Sequence, residues 1–97
     1  MAKGYWISAY HEITDAEKLA AYAELAAPAA KAHGGRFLVR GGEVRPKEAG
    51  LDQRTVVVEF DSFETAIAAY DSDAYQAALE RLEGGVGRDF RIVAGAE

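Results

Sequence analysis

Cysteine is absent from the 97-residue chain, which excludes disulfides, thiolate nucleophiles and sulfur-ligated metals. Proline occurs only at Pro28 and Pro46, so little of the chain is barred from regular structure. No segment approaches the roughly 20 consecutive apolar residues that span a bilayer, and no membrane partner is expected. Basic residues are few and scattered. Eleven Lys and Arg against sixteen Asp and Glu give a net charge of −5, with no cluster that could track a phosphate backbone. Nucleic acid is therefore not expected as a partner. The two histidines, His11 and His33, lack close spacing or matching carboxylates, so neither a metal nor any other cofactor is expected. The opening Met1-Ala2-Lys3 leads into a strand-like run without a signal-peptide pattern, and a cytoplasmic location is the expectation.

What is present describes one small globular domain over residues 1–97. Half the chain is hydrophobic (49%) and 28% is charged, too apolar to remain unfolded. Tyr5 to Ile13 is rich in aromatic and β-branched residues and reads as a first strand. Thr14-Asp15-Ala16-Glu17 fits a capping box with Thr14 as the cap. The helix behind it carries Leu19, Tyr22, Ala23, Ala26, Ala30 and His33 on one stripe, with a kink expected at Pro28 and a stop at Gly34-Gly35.

Arg36 to Arg40 forms a second strand and Gln53 to Phe60 a third, joined by a polar loop. A second helix from about Phe63 to Tyr70 is capped by Asp61 or Ser62, and Ser72 opens a third helical piece. Arg88 to Gly95 is the last strand. The order βαββαβ is the ferredoxin-like α+β pattern, in which right-handed crossovers place the helices on one face of a four-stranded antiparallel sheet.

Strand alternation predicts which residues the helices cover. Ile7, Ala9, Phe37, Val39, Val56, Val58, Phe60, Phe90 and Ile92 are assigned to the core. Trp6, Ser8, Tyr10, Leu38, Val57 and Val93, with Arg36, Arg40, Thr55, Glu59 and Arg91, are assigned to the open face. An uncovered face holding Trp, Tyr and aliphatics calls for a partner, and a homodimer through that face is expected. A one-residue slip of register would exchange the two faces.

The residues with chemistry each have two readings. His33 is a general base between the first helix and the sheet, or a histidine packed at a helix C-terminus. Arg40 binds an anionic group of a substrate, or joins Arg36 and Arg91 in ion pairs with Glu59. Trp6 and Tyr10 line a ligand cavity or pack an interface. Tyr70, Ser72 and Tyr75 offer hydroxyls to a substrate, or Ser72 is a helix cap and the tyrosines seal the core. The Gly84–Gly87 stretch follows a helix rather than a strand and is no dinucleotide loop.

The segments GGRFLVRGGEV, VVVEFDSFETAIAAYDSDAYQAA and RIVAG, in this order, resemble an uncharacterised bacterial family called domain of unknown function 1330. The matching positions are Gly35, Arg36, Arg40, Gly41, Gly42, Arg54, Phe60, Ser62, Tyr70, Ser72 and Tyr75. The chain departs from the pattern at Asp61, where relatives often carry Pro, and at Asp73-Ala74, where they carry Pro-Glu. The resemblance implies membership of the dimeric α+β barrel superfamily, which includes cofactor-free monooxygenases, lactone isomerases and heme-binding proteins. The family has no agreed reaction, and the residues read beside the resemblance leave two alternatives. One is a homodimeric, cofactor-free enzyme acting on a small anionic or aromatic metabolite by proton transfer, with His33, Tyr70 and Tyr75 catalytic and Arg40, Trp6, Tyr10 and Ser72 binding. The other is a non-catalytic ligand-binding or structural dimer.

Overall fold

A computed structural model describes residues 2–96. Seven elements follow in the order β1 (Gly4–Ile13), α1 (Ala16–Ala32), β2 (Arg36–Arg40), β3 (Thr55–Phe60), α2 (Phe63–Asp71), α3 (Asp73–Leu82) and β4 (Val86–Ala94). The strands form one antiparallel sheet ordered β2-β3-β1-β4, and the helices lie on one side of it. The fold is ferredoxin-like, as the element order implies. Only two layers thick, it measures 36 × 33 × 17 Å.

The helices begin where short polar side chains satisfy free backbone amides. Asp15, not Thr14, caps α1, accepting from the amides of Glu17 and Lys18. Thr14 instead ties the start of α1 to the far end of α3, through its amide to Gly85 O and its hydroxyl to Gly84 O. Ser62 caps α2 and Ser72 caps α3. α1 runs through Pro28 as one helix, with the proline ring on the exposed side.

The helical surface facing the sheet is mostly alanine: Ala26, Ala29 and Ala30 of α1, Ala66 and Ala69 of α2, Ala78 of α3. Small side chains let the helices approach closely, and the remaining volume is filled by rings. Trp6 stands at the centre with its ring centroid 4.8 Å from Phe60 and 4.7 Å from Tyr75, its indole N–H donating to Ala66 O at 2.8 Å.

This packing corrects the predicted faces in two places. In β1 the inward residues are Gly4, Trp6, Ser8 and Tyr10, with Trp6 and Tyr10 only 3% and 2% exposed. Ile7 and Ala9 face outward. Both phases of β1 carry apolar residues, so alternation alone does not choose between them. Two packing constraints do. Only rings can fill the space above alanine helices, and a Cβ at Gly4 would collide with the start of α2. In β2 the pairing shifts between Phe37 and Val39, leaving Leu38 as a bulge. Val39 therefore pairs with Val57 on the open face, and Arg40 pairs with Val56 on the helix side. Trp6, Tyr10 and Arg40 thus leave the open face to which alternation assigned them.

Replacing Trp6 by Ala should lower stability by about 3–5 kcal/mol through the cavity it leaves. Val93→Ser on the open face should cost under about 1 kcal/mol in dilute protein. Urea denaturation followed by circular dichroism measures both. Equal losses would contradict the corrected phase.

Candidate functional site

One end of the sheet brings polar residues inward beneath α1. Across that end the register aligns Arg40 with Val56 and Tyr10 with Arg88. The carbonyl of Arg54 accepts from the amide of Tyr10, which sets Arg54 beside this row at the head of β3. Arg54 shares the inward phase of Val56 and Val58, and Arg88 that of Phe90 and Ile92. Above them α1 contributes Leu19, Tyr22 and Ala26. A cavity of about 40 Å³ lies between, enough for waters or a carboxylate-sized group.

Arg88 organises the cavity. Its Nη1 donates to Ser8 Oγ at 3.3 Å, Tyr10 Oη at 3.2 Å and Tyr22 Oη at 3.3 Å, and its Nη2 to Tyr75 Oη at 3.3 Å. Tyr22 and Tyr75 share a short hydrogen bond of 2.6 Å. The guanidinium also lies over the rings of Phe90 at 4.8 Å and Tyr22 at 5.1 Å. Among the described residues it has no carboxylate partner; the ion pairs formed are those of Lys3, Arg36 and Arg91. Burial works against its charge, but the surrounding tyrosine oxygens outweigh that and leave its pKa above the ordinary arginine value. Arg88 is a cation throughout the working range.

Burial pushes the Tyr75 hydroxyl well above the ordinary tyrosine range, the negative charge that Tyr22 would carry adds to this, and Arg88 only partly opposes it. Tyr75 is thus held as a hydrogen-bond donor and is poorly suited to act as a base.

Arg54 is held in place by glycine. Gly41 has φ +71°, a backbone that disfavours side chains, and a Cβ there would collide with the Arg54 guanidinium. The Arg54 Nε is buried and has no hydrogen-bond partner. Arg40 stacks on Phe37, its guanidinium carbon 4.5 Å from the ring centroid, at the exposed rim.

The structure groups some of the sequence-proposed residues and separates others. Trp6, Tyr10 and Arg40 line the cavity, and Tyr75 stands behind it, bonded to Tyr22. Tyr70 borders an open groove along α3 and β4 that meets the cavity at Arg88 and Phe90. Ser72 is occupied as the α3 cap and donates to Ala69 O at 2.7 Å. His33 is the C-cap of α1, its Nδ1 3.1 Å from Ala29 O, and it does not line the cavity. His11 is exposed at the β1 irregularity, and no group of three potential metal ligands occurs among the described residues. Arg54, a family-matching position, and Tyr22, on the core stripe of the first helix, were given no site role by the sequence, and Arg88 was placed only at the start of the last strand. Their signal was available: Arg54 heads the inward run Val56, Val58, Phe60, and Arg88 heads Phe90, Ile92.

The open face has its own electrostatics. Arg36 pairs with Glu59 at 3.0 Å and Asp61 at 3.1 Å, and Tyr5 donates to Glu59 at 2.8 Å. The hydrogen bonds from Tyr5 and then Arg36 hold the Glu59 carboxyl below its usual range. Arg91 is paired with Asp89 on its own strand.

Fold and site together define a ferredoxin-like α+β protein with an arginine-lined cavity between helix and sheet. The chain belongs to the family described as Domain of unknown function (DUF1330), whose sequence profile matches residues 3–96. No curated protein matches it significantly. Several solved structures share the fold. A protein of unknown function from Rhodopseudomonas palustris, RPA0582, has a TM-score of 0.78 at 14% identity, over 99% of this chain and 84% of that one. A dimeric ferredoxin-like protein of unknown function from Thermobifida fusca gives 0.53 at 16% identity, over 96% and 91%. SnoaB, a cofactor-independent oxygenase from Streptomyces nogalater, gives 0.57 at 14% identity, over 100% and 96%.

The tyrosine pair makes a pH prediction. A raised pKa in the folded state means that Tyr75's contribution is complete below the ordinary tyrosine pKa of about 10 and is lost as pH rises above it. The urea midpoint should therefore fall between about pH 9 and 11. In Tyr75→Phe it should fall less steeply, although from a lower starting value. Parallel slopes would contradict the buried, neutral hydroxyl.

Proposed function

We propose that the protein is a homodimer in which each protomer binds a small organic metabolite in the cavity beneath α1. The observation that carries this reading is the cavity's lining, in which aromatic and aliphatic walls surround a few convergent polar groups. That is the usual make-up of a small-molecule site. Trp6, Leu19, Phe37, Val58 and Phe90 offer the apolar wall, while Arg88, Arg54, Arg40 and the hydroxyls of Tyr10 and Tyr22 offer the polar end. Binding, with Arg40 at the mouth, is better supported than proton transfer, since His33 lies elsewhere and Tyr75 stays protonated.

A second reading has one observation in its favour. Arg88 with its ring of hydroxyls is arranged to stabilise negative charge developing on a bound molecule, as an oxyanion site does. A cofactor-free enzyme on the same fold would use it in that way, and SnoaB gives this reading a precedent in fold alone.

The dimer reading rests on the open face. Ile7, Ala9, Val57, Val39 and Val93 form an apolar strip there, with Val39 and Val93 41% and 39% exposed and Leu38 at 55% beside them. A sheet only two layers deep leaves this strip uncovered unless a second copy covers it. The Arg36–Glu59 and Asp89–Arg91 pairs would form its polar rim.

Two measurements test these statements. Trp6 is the single tryptophan and lines the cavity, so its fluorescence should respond saturably to members of a panel of short-chain and single-ring organic compounds. Ala23→Leu, which fills the cavity from α1, should abolish the response while the fold is retained. An unchanged response in that variant places binding elsewhere. Light scattering should give a mass near twice 10.4 kDa. Val57→Lys should give a folded monomer, and a monomeric wild type at submillimolar concentration would overturn the dimer.

A further inference from the structure

The cavity holds an imbalance of charge that the protein itself does not resolve. Of the residues lining it, three are arginines and none is Asp, Glu or His, although acidic residues outnumber basic ones in the chain. Arg40, Arg54 and Arg88 make no ion pair among the described residues, whereas on the outer face Arg36 pairs with both Glu59 and Asp61, and Arg91 with Asp89. Arg88 and Arg54 are partly buried, and a partly buried guanidinium without a counter-charge gives up hydration that a carboxylate would ordinarily offset. Here Arg88 is supplied with neutral hydroxyls only.

The hydrogen-bond directions reinforce this. When Arg88 donates to the oxygens of Ser8, Tyr10, Tyr22 and Tyr75, those oxygens are used as acceptors and their own O–H groups remain to donate. Tyr22 and Tyr75 satisfy one such proton between themselves. The others, together with the unpartnered Nε of Arg54, are donors that meet no acceptor at this end of the cavity. A wall of donors and cations facing an apolar chamber fits an anion that accepts several hydrogen bonds and carries a hydrophobic body. An inorganic oxyanion would meet the donors but leave Trp6, Leu19 and Phe37 unused.

From these observations we infer that the cavity is a site for a small organic monocarboxylate, its carboxylate set between Arg88 and Arg54 and its apolar body against Trp6, Leu19 and Phe37. The assignment rests on the cavity being a small-molecule site at all, as proposed above. Arg88 and Arg54 are then the charge-recognising residues, and Gly41, whose φ of +71° favours glycine, leaves the Arg54 guanidinium its present place. Guanidinium groups suit a carboxylate through parallel N–H donors. Arg40, stacked on Phe37 at the rim, attracts the anion to the mouth.

Isothermal titration with acetate and propanoate, each compared with its uncharged amide, tests the charge requirement on the full chain. The carboxylates should bind at least tenfold more tightly than acetamide and propanamide. Arg88→Gln and Arg54→Gln should each weaken carboxylate binding at least tenfold and weaken amide binding by a smaller factor. Arg54 lies just ahead of β3 and its Nε makes no hydrogen bond, so its variant keeps the test valid if Arg88→Gln fails to fold. Equal binding of acids and amides, or unchanged carboxylate affinity in Arg54→Gln, would overturn the carboxylate assignment and leave the cavity reading intact. Inorganic phosphate competing as well as propanoate would overturn the organic part of the assignment. Binding of none of the probes would overturn both.

Discussion

A single guanidinium, that of Arg88, joins the parts of this protein. It projects from β4 and reaches Ser8 and Tyr10 on β1, Tyr22 on α1 and Tyr75 on α3. The first and last strands and the two longest helices therefore converge on one positive charge. Its burial is tolerable because four hydroxyl oxygens and several ring faces replace part of the water it gives up. They do not neutralise it. The residual charge is what makes the same group both a structural junction and the polar end of a cavity.

The rest of the core is arranged so that this junction can exist. Alanines on all three helices bring the helical layer close to the sheet, and aromatic rings fill the space that remains. Three of those rings are tyrosines whose hydroxyls point toward Arg88. Phenylalanines would have filled the same space but could not have solvated a cation. The choice of Tyr over Phe at positions 10, 22 and 75 therefore belongs to the charge rather than to the packing. The same dependence explains the glycine at 41, which leaves the Arg54 guanidinium room beside the cavity.

Much of the architecture was legible in the order of elements. The strand-helix alternation, the Ser62 and Ser72 caps and the glycine stops gave the ferredoxin-like sheet, because each depends on local backbone chemistry. The faces were less legible. In β1 both phases are apolar, so the volume left above alanine helices, a tertiary quantity, decides between Trp6 and Ile7. In β2 the Leu38 bulge reverses the phase after Phe37, and no residue type in RFLVR announces it. The site was partly readable. Trp6, Tyr10 and Arg40 were named as ligand-binding and do line the cavity, while His33 and Ser72 are engaged by backbone. Arg54 matches the family pattern, yet its place and that of Arg88 at the cavity follow only when the inward strand phases are carried past their apolar residues. Extending each run by two residues reaches both arginines.

Crystals grown with propanoate would show whether a carboxylate completes the charge beneath α1. A carboxylate should then lie between the guanidinium groups of Arg88 and Arg54 in each protomer, with the alkyl carbons toward Trp6 and Leu19. A water-filled cavity at saturating propanoate, with Arg54 turned out to solvent, would contradict it.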